Sequence, residues 1–302
     1  MSQQATRRAF LAGLGTVAAT TRIPAFAAQH HVDNIRYGYA AITWGNEERQ
    51  AADDIAAVGF PGIQFRANAV TDFKPAELKD LLAKLKLTFV ALSSGDVSLE
   101  RPEADEIATH VKNAQVLKSA GGLYLQVLDQ LKTYPRTTTP DECKRLGHLL
   151  TEIGKRTADI GVPLGYHNHL NTLSENPDNL DRIMENVDPK YVKLELDVAH
   201  LVAGGGDPAK AILKYRDRIL FLHLKDVRKL PADTPNARYP FQWVELGEGI
   251  VDLPAAFQAL KQTKFSGWAV VELDRVPDAT KTPKGCAMTC KKYLEDKIGV
   301  KV

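Results

Sequence analysis

His167 and His169 stand two residues apart in the run Tyr166-His167-Asn168-His169, and the same spacing separates Glu195 from Asp197, His223 from Lys225 and Glu272 from Asp274. Side chains two apart on a strand share a face, so each pair can aim at one place. Imidazoles and carboxylates converging on a point make a divalent-metal constellation. Two carboxylates with one or two imidazoles suit Mn²⁺, Co²⁺, Fe²⁺ or Zn²⁺. A rim salt bridge or a helix cap would explain any single pair. It does not explain four pairs in succession, because random surface polarity does not follow strand termini. His200, just beyond Asp197 in Asp197-Val198-Ala199-His200, adds another imidazole to the same neighbourhood.

The elements that must position these residues are legible as alternating patterns. Short apolar runs at 37–43, 62–65, 88–92, 123–128, 162–167, 192–197, 219–224 and 268–272 read as strands. Amphipathic stretches such as 75–85, 103–119, 141–160, 208–216 and 253–261 read as helices between them. Pro75, Pro208 and Pro254 fall in first helical turns, Gly59, Gly121 and Gly161 follow helical stretches, and Asp252 is placed to cap a helix. Strands alternating with helices imply a parallel sheet. Eight such units match a closed (β/α)₈ TIM barrel forming one domain over 28–302, with its active site at the C-terminal strand ends. An open doubly wound sheet is the competing architecture, but no G-x-G-x-x-G follows the first strand.

Composition narrows the partners. Of 302 residues, 44% are hydrophobic and 25% charged, a soluble globular balance. The longest apolar stretch is broken by Gly13, Gly15 and Thr16, too short for a spanning helix, so no stable membrane insertion is expected. Thr6-Arg7-Arg8-Ala9-Phe10-Leu11 opens that stretch and Ala25-Phe26-Ala27 closes it with an A-x-A cleavage pattern. Residues 1–27 thus resemble a twin-arginine export signal, which predicts engagement of the Tat translocase and a periplasmic destination. An ordinary secretory signal is the plainer alternative. Those residues carry three arginines and no acid, leaving 36 basic against 37 acidic residues in the remainder, a net charge of −1. That balance argues against nucleic acid as a partner. Cys143, Cys286 and Cys290 are odd in number and read as helix-packing thiols rather than a disulfide framework.

The blocks Tyr166-His167-Asn168-His169, Glu195-Leu196-Asp197-Val198-Ala199-His200, Leu222-His223-Leu224-Lys225-Asp226, Gly247-Glu248-Gly249 and Val271-Glu272 resemble the sugar phosphate isomerase/epimerase superfamily, with its xylose-isomerase-like barrel. Within it the chain is most similar to the inosose-dehydratase-like, exported branch. The resemblance implies one divalent metal held by Asp197, His223 and Glu272. His167 stands where many members carry a glutamate, and becomes the candidate fourth ligand or a histidine orienting one. Mn²⁺ is the expected ion, with Co²⁺, Zn²⁺, Fe²⁺ or Mg²⁺ as alternatives.

The resemblance further implies proton abstraction next to a carbonyl of a sugar, inosose or keto-glycoside, ending in isomerisation, epimerisation or elimination. With the carboxylate of the fifth strand missing, His169 or His200 becomes the expected base and Glu272 a second acid/base. Elimination is then favoured over epimerisation, since an unmatched His and Glu suit one-way loss of a leaving group. Lys225 is assigned to a developing oxyanion, with a plain rim lysine as its competitor. Trp44, Arg66 and Glu248 are candidate substrate contacts. Trp44 could instead pack a loop, and the loop of Glu248 is first a turn entering a helix. Glu195 is expected one layer deeper, and Asp226 as a cap on a neighbouring loop. A non-catalytic sugar-binding barrel is the alternative function. A retaining glycosidase is disfavoured because the seventh strand ends in His223 and Lys225 rather than a carboxylate.

Overall fold

Strands buried on both faces read as apolar runs, and helices covering them read as amphipathic stretches. The computed structural model describes residues 34–130, 137–234 and 240–302. The export signal expected over 1–27 lies outside the described residues. In chain order the first half contains β1 (Ile35–Ala40), α1 (Glu48–Val58), β2 (Gly62–Arg66), α2 (Ala69–Asp72), α3 (Pro75–Leu85), β3 (Thr88–Val97), α4 (Glu103–Ser119) and β4 (Tyr124–Asp129). There follow α5 (Pro140–Asp159), β5 (Leu164–His167), α6 (Pro177–Asn186), β6 (Val192–Asp197), α7 (Val198–Ala203), α8 (Pro208–Lys214) and β7 (Ile219–Leu224). A hairpin of β8 (Asp226–Lys229) and β9 (Phe241–Val244) precedes α9 (Leu253–Gln262), β10 (Gly267–Val271) and α10 (Pro283–Tyr293).

Eight strands close into a parallel barrel in the order β1-β10-β7-β6-β5-β4-β3-β2. The expected TIM barrel is therefore the fold. Its helices start and stop for local reasons. Prolines occupy the first turns of α3, α8 and α9, and Asp252 caps α9 by accepting a 2.9 Å bond from the Ala255 amide. Thr139 and Glu142 form a reciprocal capping box on α5. Gly59 ends α1 at φ +93°, a left-handed conformation that costs glycine little.

Three departures from the sequence pattern matter. The first strand ends at Ala40, and Ala41–Trp44 wind into a 3₁₀ turn held to the end of β10 by a 2.5 Å bond from Thr43 Oγ1 to the Leu273 carbonyl. Strand β3 continues to Val97 through a register shift between Ser93 and Asp96. The antiparallel hairpin β8–β9 is an addition on the C-terminal face of the barrel.

Inside the barrel, Val90, Phe221, Trp268 and Val270 form an apolar plug, with Tyr124 stacked on Phe221 at 5.5 Å. Phe221 lies one inward position before His223 on β7, its ring centroid 6.0 Å from the imidazole. The polar strand ends therefore rest on an apolar floor, where electrostatic interactions are weakly screened. Cys143, Cys286 and Cys290 are buried free thiols. Among the described residues, no helix is long and apolar enough to cross a membrane.

Candidate active site

Strands β5, β6, β7 and β10 bring His167, Asp197, His223 and Glu272 to one point, with ligand-capable atoms all within 4.8 Å of one another. All four side chains are buried. Asn168 fastens two of these strand ends together. Its Oδ1 accepts from the Asp197 amide at 2.9 Å and its Nδ2 donates to the Asp197 carbonyl at 3.1 Å. Asp197 Oδ1 is committed to capping α7, accepting from the amides of Ala199 and His200 at 2.8 Å each. Its Oδ2 faces the cluster.

His223 lies at the centre. Its Nε2 is 2.8 Å from Gln64 Oε1, which can only accept, so Nε2 carries the proton of the neutral ring. Its Nδ1 faces three carboxylates, Glu195 Oε1 at 2.9 Å, Glu272 Oε2 at 3.3 Å and Asp197 Oδ2 at 3.6 Å. Gln64 is itself braced by Gln126, at 3.4 Å across the barrel. His167 Nδ1, Asp197 Oδ2 and His223 Nδ1 have no hydrogen-bond partner among the described residues. Leaving a buried polar atom unpaired costs about 1–3 kcal/mol. Three such atoms facing one point, all of them metal donors, fit a divalent cation.

The surrounding charges follow from burial and proximity. Burial alone would lower the pKa of His223, but the carboxylates of Glu195 and Glu272 outweigh it and hold the imidazole well above its usual value. Burial likewise would raise Glu272, yet His223 and Lys225 keep it well below the ordinary carboxylate range. Burial, followed by repulsion from His223, pushes His167 well below the usual histidine value.

Lys225 is fully buried rather than a rim residue. Its ammonium bonds Glu272 Oε2 at 2.8 Å and Asp274 Oδ1 at 2.5 Å, lies 3.2 Å from His200 Nε2, and sits 4.5 Å from the centre of the Trp243 ring. Burial opposes its charge, but Asp274 and Glu272 raise its pKa above that of a free lysine.

The backbone of one residue, Leu170, differentiates the two remaining histidines. His169 Nδ1 lies 2.6 Å from the Leu170 carbonyl, which makes Nδ1 the donor and leaves Nε2 as the ring's lone pair. His200 Nδ1 accepts from the Leu170 amide at 3.1 Å. The two rings are 3.7 Å apart, and Trp243 from the hairpin packs on His200 at 4.4 Å. Burial and the Lys225 charge lower the pKa of His169, and burial and His169 hold that of His200 well below the usual value.

A cavity of about 110 Å³ opens beside the cluster. It reaches His167, His169, Glu272 and Asp274 on one side and Gln64, Gln126 and Arg66 on the other. His200 and Lys225 lie behind its lining. Arg66 reaches the cavity, but its guanidinium already holds the Gly45 carbonyl, Asn46 Oδ1 at 3.3 Å and Glu48 Oε1 at 3.4 Å. Trp44 is not brought to the cavity. It packs edge-on against Tyr39 at 5.7 Å, and its Nε1 donates to Asp54 at 3.0 Å. Glu248 is exposed on a loop that folds around Asp226. The Asp226 carboxylate accepts from the amides of Gly247, Gly249 and Val251 at 2.9–3.0 Å, and a Cβ at Gly249 would collide with it.

Gln64 and Gln126 were not among the candidates raised by the sequence, and Asp274 was raised only as the partner of Glu272 in a polar pair, with no role. Asp274 had a signal in its spacing from Glu272. The two glutamines had only their positions near strand ends. Asp129 was also missed. It ends β4 and accepts from Tyr166 Oη at 2.6 Å and from the Leu173 amide at 2.5 Å, anchoring the segment that carries His169.

Fold and site together define a TIM barrel with a candidate divalent-metal centre at its C-terminal mouth. Residues 52–292 match the xylose isomerase-like TIM barrel family, and the chain belongs to it. Similar curated proteins include an inosose dehydratase of Lacticaseibacillus casei, 26% identical over 295 residues that cover 88% of this chain and 98% of that protein. An inosose dehydratase of Clostridium tetani is 26% identical over 300 residues, covering 89% and 99%. The structure of the IolI protein with a bound zinc atom superposes at a TM-score of 0.74 and 20% identity, covering 87% of this chain and 98% of that one. An L-ribulose 3-epimerase superposes at 0.71 and 17% identity, covering 88% and 95%. At these identities the solved structures speak to the fold.

Proposed function

We propose that this protein is a divalent-metal-dependent carbohydrate enzyme that removes a proton next to a carbonyl of a sugar, inosose or keto-glycoside. The observation carrying this reading is that His169, whose Nε2 is left unprotonated by the Leu170 carbonyl, lines the same cavity as His167 and Glu272 of the converging His167–Asp197–His223–Glu272 cluster. The inosose dehydratases among its relatives support the substrate class. Asp197, His223, Glu272 and His167 would hold the ion, which when bound polarises a substrate carbonyl and acidifies the neighbouring C–H. Mn²⁺ remains our expected ion, with Co²⁺, Zn²⁺ and Fe²⁺ as alternatives. Two imidazole donors weigh against Mg²⁺, which prefers oxygen.

His169 takes the proton at Nε2 while the C–H electron pair moves toward the carbonyl. In an elimination, the electron pair then forms a carbon–carbon double bond as the β-hydroxyl leaves, and the His169 imidazolium returns its proton to that hydroxyl to give water. Glu272 is tied to Lys225 and kept ionised, so it is a poor proton donor on a second face. This favours elimination over epimerisation. Lys225 acts through Glu272 and Asp274 rather than on an oxyanion directly, and His200 holds the Leu170 peptide. Gln64 and Gln126 offer amides to substrate hydroxyls. We also propose that the protein is exported through the twin-arginine route, on the strength of Arg7-Arg8 and Ala25-Phe26-Ala27.

The test is exchange of the substrate α-hydrogen in deuterated water with metal-loaded protein, over inososes, ketoses and 3-keto-glycosides. His169→Ala should abolish exchange, whereas His200→Ala should reduce it by a smaller factor. Full metal loading with neither exchange nor turnover over the whole panel would overturn the enzyme reading in favour of a sugar-binding barrel.

A further inference from the structure

Asp274 stands two residues beyond Glu272, just past the end of β10, and lines the same cavity. Its Oδ1 is held by the Lys225 ammonium at 2.5 Å. That ammonium is itself fixed: Lys225 is fully buried, bonds Glu272 Oε2 at 2.8 Å and lies 4.5 Å from the centre of the Trp243 ring. Asp274 is therefore a pinned carboxylate. Its second oxygen, Oδ2, takes no hydrogen bond among the described residues. Three carboxylates lie within 4.0 Å of the Lys225 ammonium, and Asp274 is the most open of them, its side chain 22% exposed against 10% for Glu272 and 0% for Asp197. Because Oδ1 is turned to a buried lysine, the open part of the group is the part that carries Oδ2.

Elsewhere on the cavity lining, Gln126 accepts from Gln64 through Oε1 and keeps the N–H groups of its Nε2 uncommitted. Arg66 is the only lysine or arginine on that lining among the described residues, and its Nη2 is engaged by Gly45, Asn46 and Glu48. A free carboxylate acceptor and a free amide donor suit hydroxyl groups, which both donate and accept. A phosphate dianion or a carboxylate offers Asp274 no proton. It would also set like charges together above the apolar floor of the barrel, where screening is weak.

We infer that Asp274 selects the substrate: Oδ2 accepts a hydrogen bond from a hydroxyl of an uncharged polyol in the cavity, and the carboxylate turns away sugars that carry a phosphate or carboxylate. This rests on the carbohydrate reading of the proposed function and adds to it the residue that discriminates. Lys225 fixes the carboxylate in place before the substrate arrives, so little freedom is lost when the hydroxyl binds.

The experiment is calorimetric titration of the metal-loaded protein with myo-inositol, D-glucitol and methyl α-D-glucoside, each beside its monophosphate. Wild type should bind the best neutral polyol roughly 10-fold or more tightly than its phosphate. Asp274→Ala should weaken binding of that polyol by roughly 10- to 100-fold, the range for a hydrogen bond to a charged group. Asp274→Asn keeps an oxygen for Lys225 and removes the charge, so it should bring the neutral and phosphorylated ligands close to equal affinity. A group that only braced Lys225 would not move that ratio. Zinc affinity, read by competition with a chromophoric chelator, is measured on each variant. An unchanged neutral-to-phosphate ratio in Asp274→Asn would overturn the assignment, whether or not zinc affinity falls. Failure of the metal-loaded wild type to bind any of the neutral polyols would overturn the carbohydrate reading itself. Should Asp274→Ala fail to fold, the ratio in Asp274→Asn decides.

Discussion

A neutral imidazole carries one proton, and at His223 Gln64 decides which nitrogen holds it. Replacing Gln64 with Leu removes the acceptor for Nε2–H, so the ring can flip or change tautomer and Nδ1 no longer presents a fixed lone pair. The expected result is a roughly 10- to 100-fold loss of zinc affinity by chelator competition, with stoichiometry recovered at excess metal. An unchanged affinity would mean that the carboxylates alone orient His223. The histidines were legible in the sequence because their spacing puts them on one strand face. Gln64 and Gln126 were not, because an amide near a strand end has no chemical signature until the barrel closes and sets it against a partner. The same holds for choosing between His169 and His200. Both read as candidate bases, and only the Leu170 backbone, its carbonyl accepting from one ring and its amide donating to the other, assigns them different protonation patterns.

At the scale of elements, the end of β4 controls the segment after β5. Asp129 holds Tyr166 and the Leu173 amide, and burial raises its carboxyl from 3.8 to about 6 despite those bonds. A folded-state pKa above the unfolded value means that the folded chain binds the proton more tightly. Stability from this group is therefore fully present below about pH 4 and is lost as pH rises through 6, by roughly 3 kcal/mol for a shift of about two units. Asp129→Asn cannot titrate. Urea unfolding between pH 4 and 7 should show wild type losing stability relative to the variant by that amount, and parallel curves would refute the shift. Nothing in the sequence singled out Asp129, since a lone acid at a strand end resembles any rim residue. The hairpin β8–β9 was equally hidden. Its strands have four residues each, too few to display a period, yet it delivers Trp243 onto His200 and Lys225.

For the whole molecule, the proposed export and the charge distribution belong together. Outside residues 1–27 the chain is nearly neutral at −1, so the basic character of the full sequence resides in that segment. A chain that folds and takes up metal before crossing the membrane needs a route for folded cargo, which the twin-arginine pathway provides. Replacing Arg7 and Arg8 with lysine should retain the protein in the cytoplasm, as judged by fractionation and immunoblotting. Unaltered periplasmic accumulation would point to a general secretory signal.

The amino-acid sequence by itself determined the eight strand–helix units, the inward faces of the strands and the acids and imidazoles standing at their ends. These depend on alternation and on capping residues, which act between close neighbours in the chain. Tertiary structure alone decided that Lys225 is sealed between Glu272 and Asp274, that Trp44 packs against Tyr39, and that Glu248 points away while Asp226 gathers its loop. It also decided that Glu195 meets two imidazoles. Those outcomes depend on which strands become neighbours and on how far each is displaced along the barrel. Closure sets those relations between segments far apart in sequence, where local periodicity carries no information.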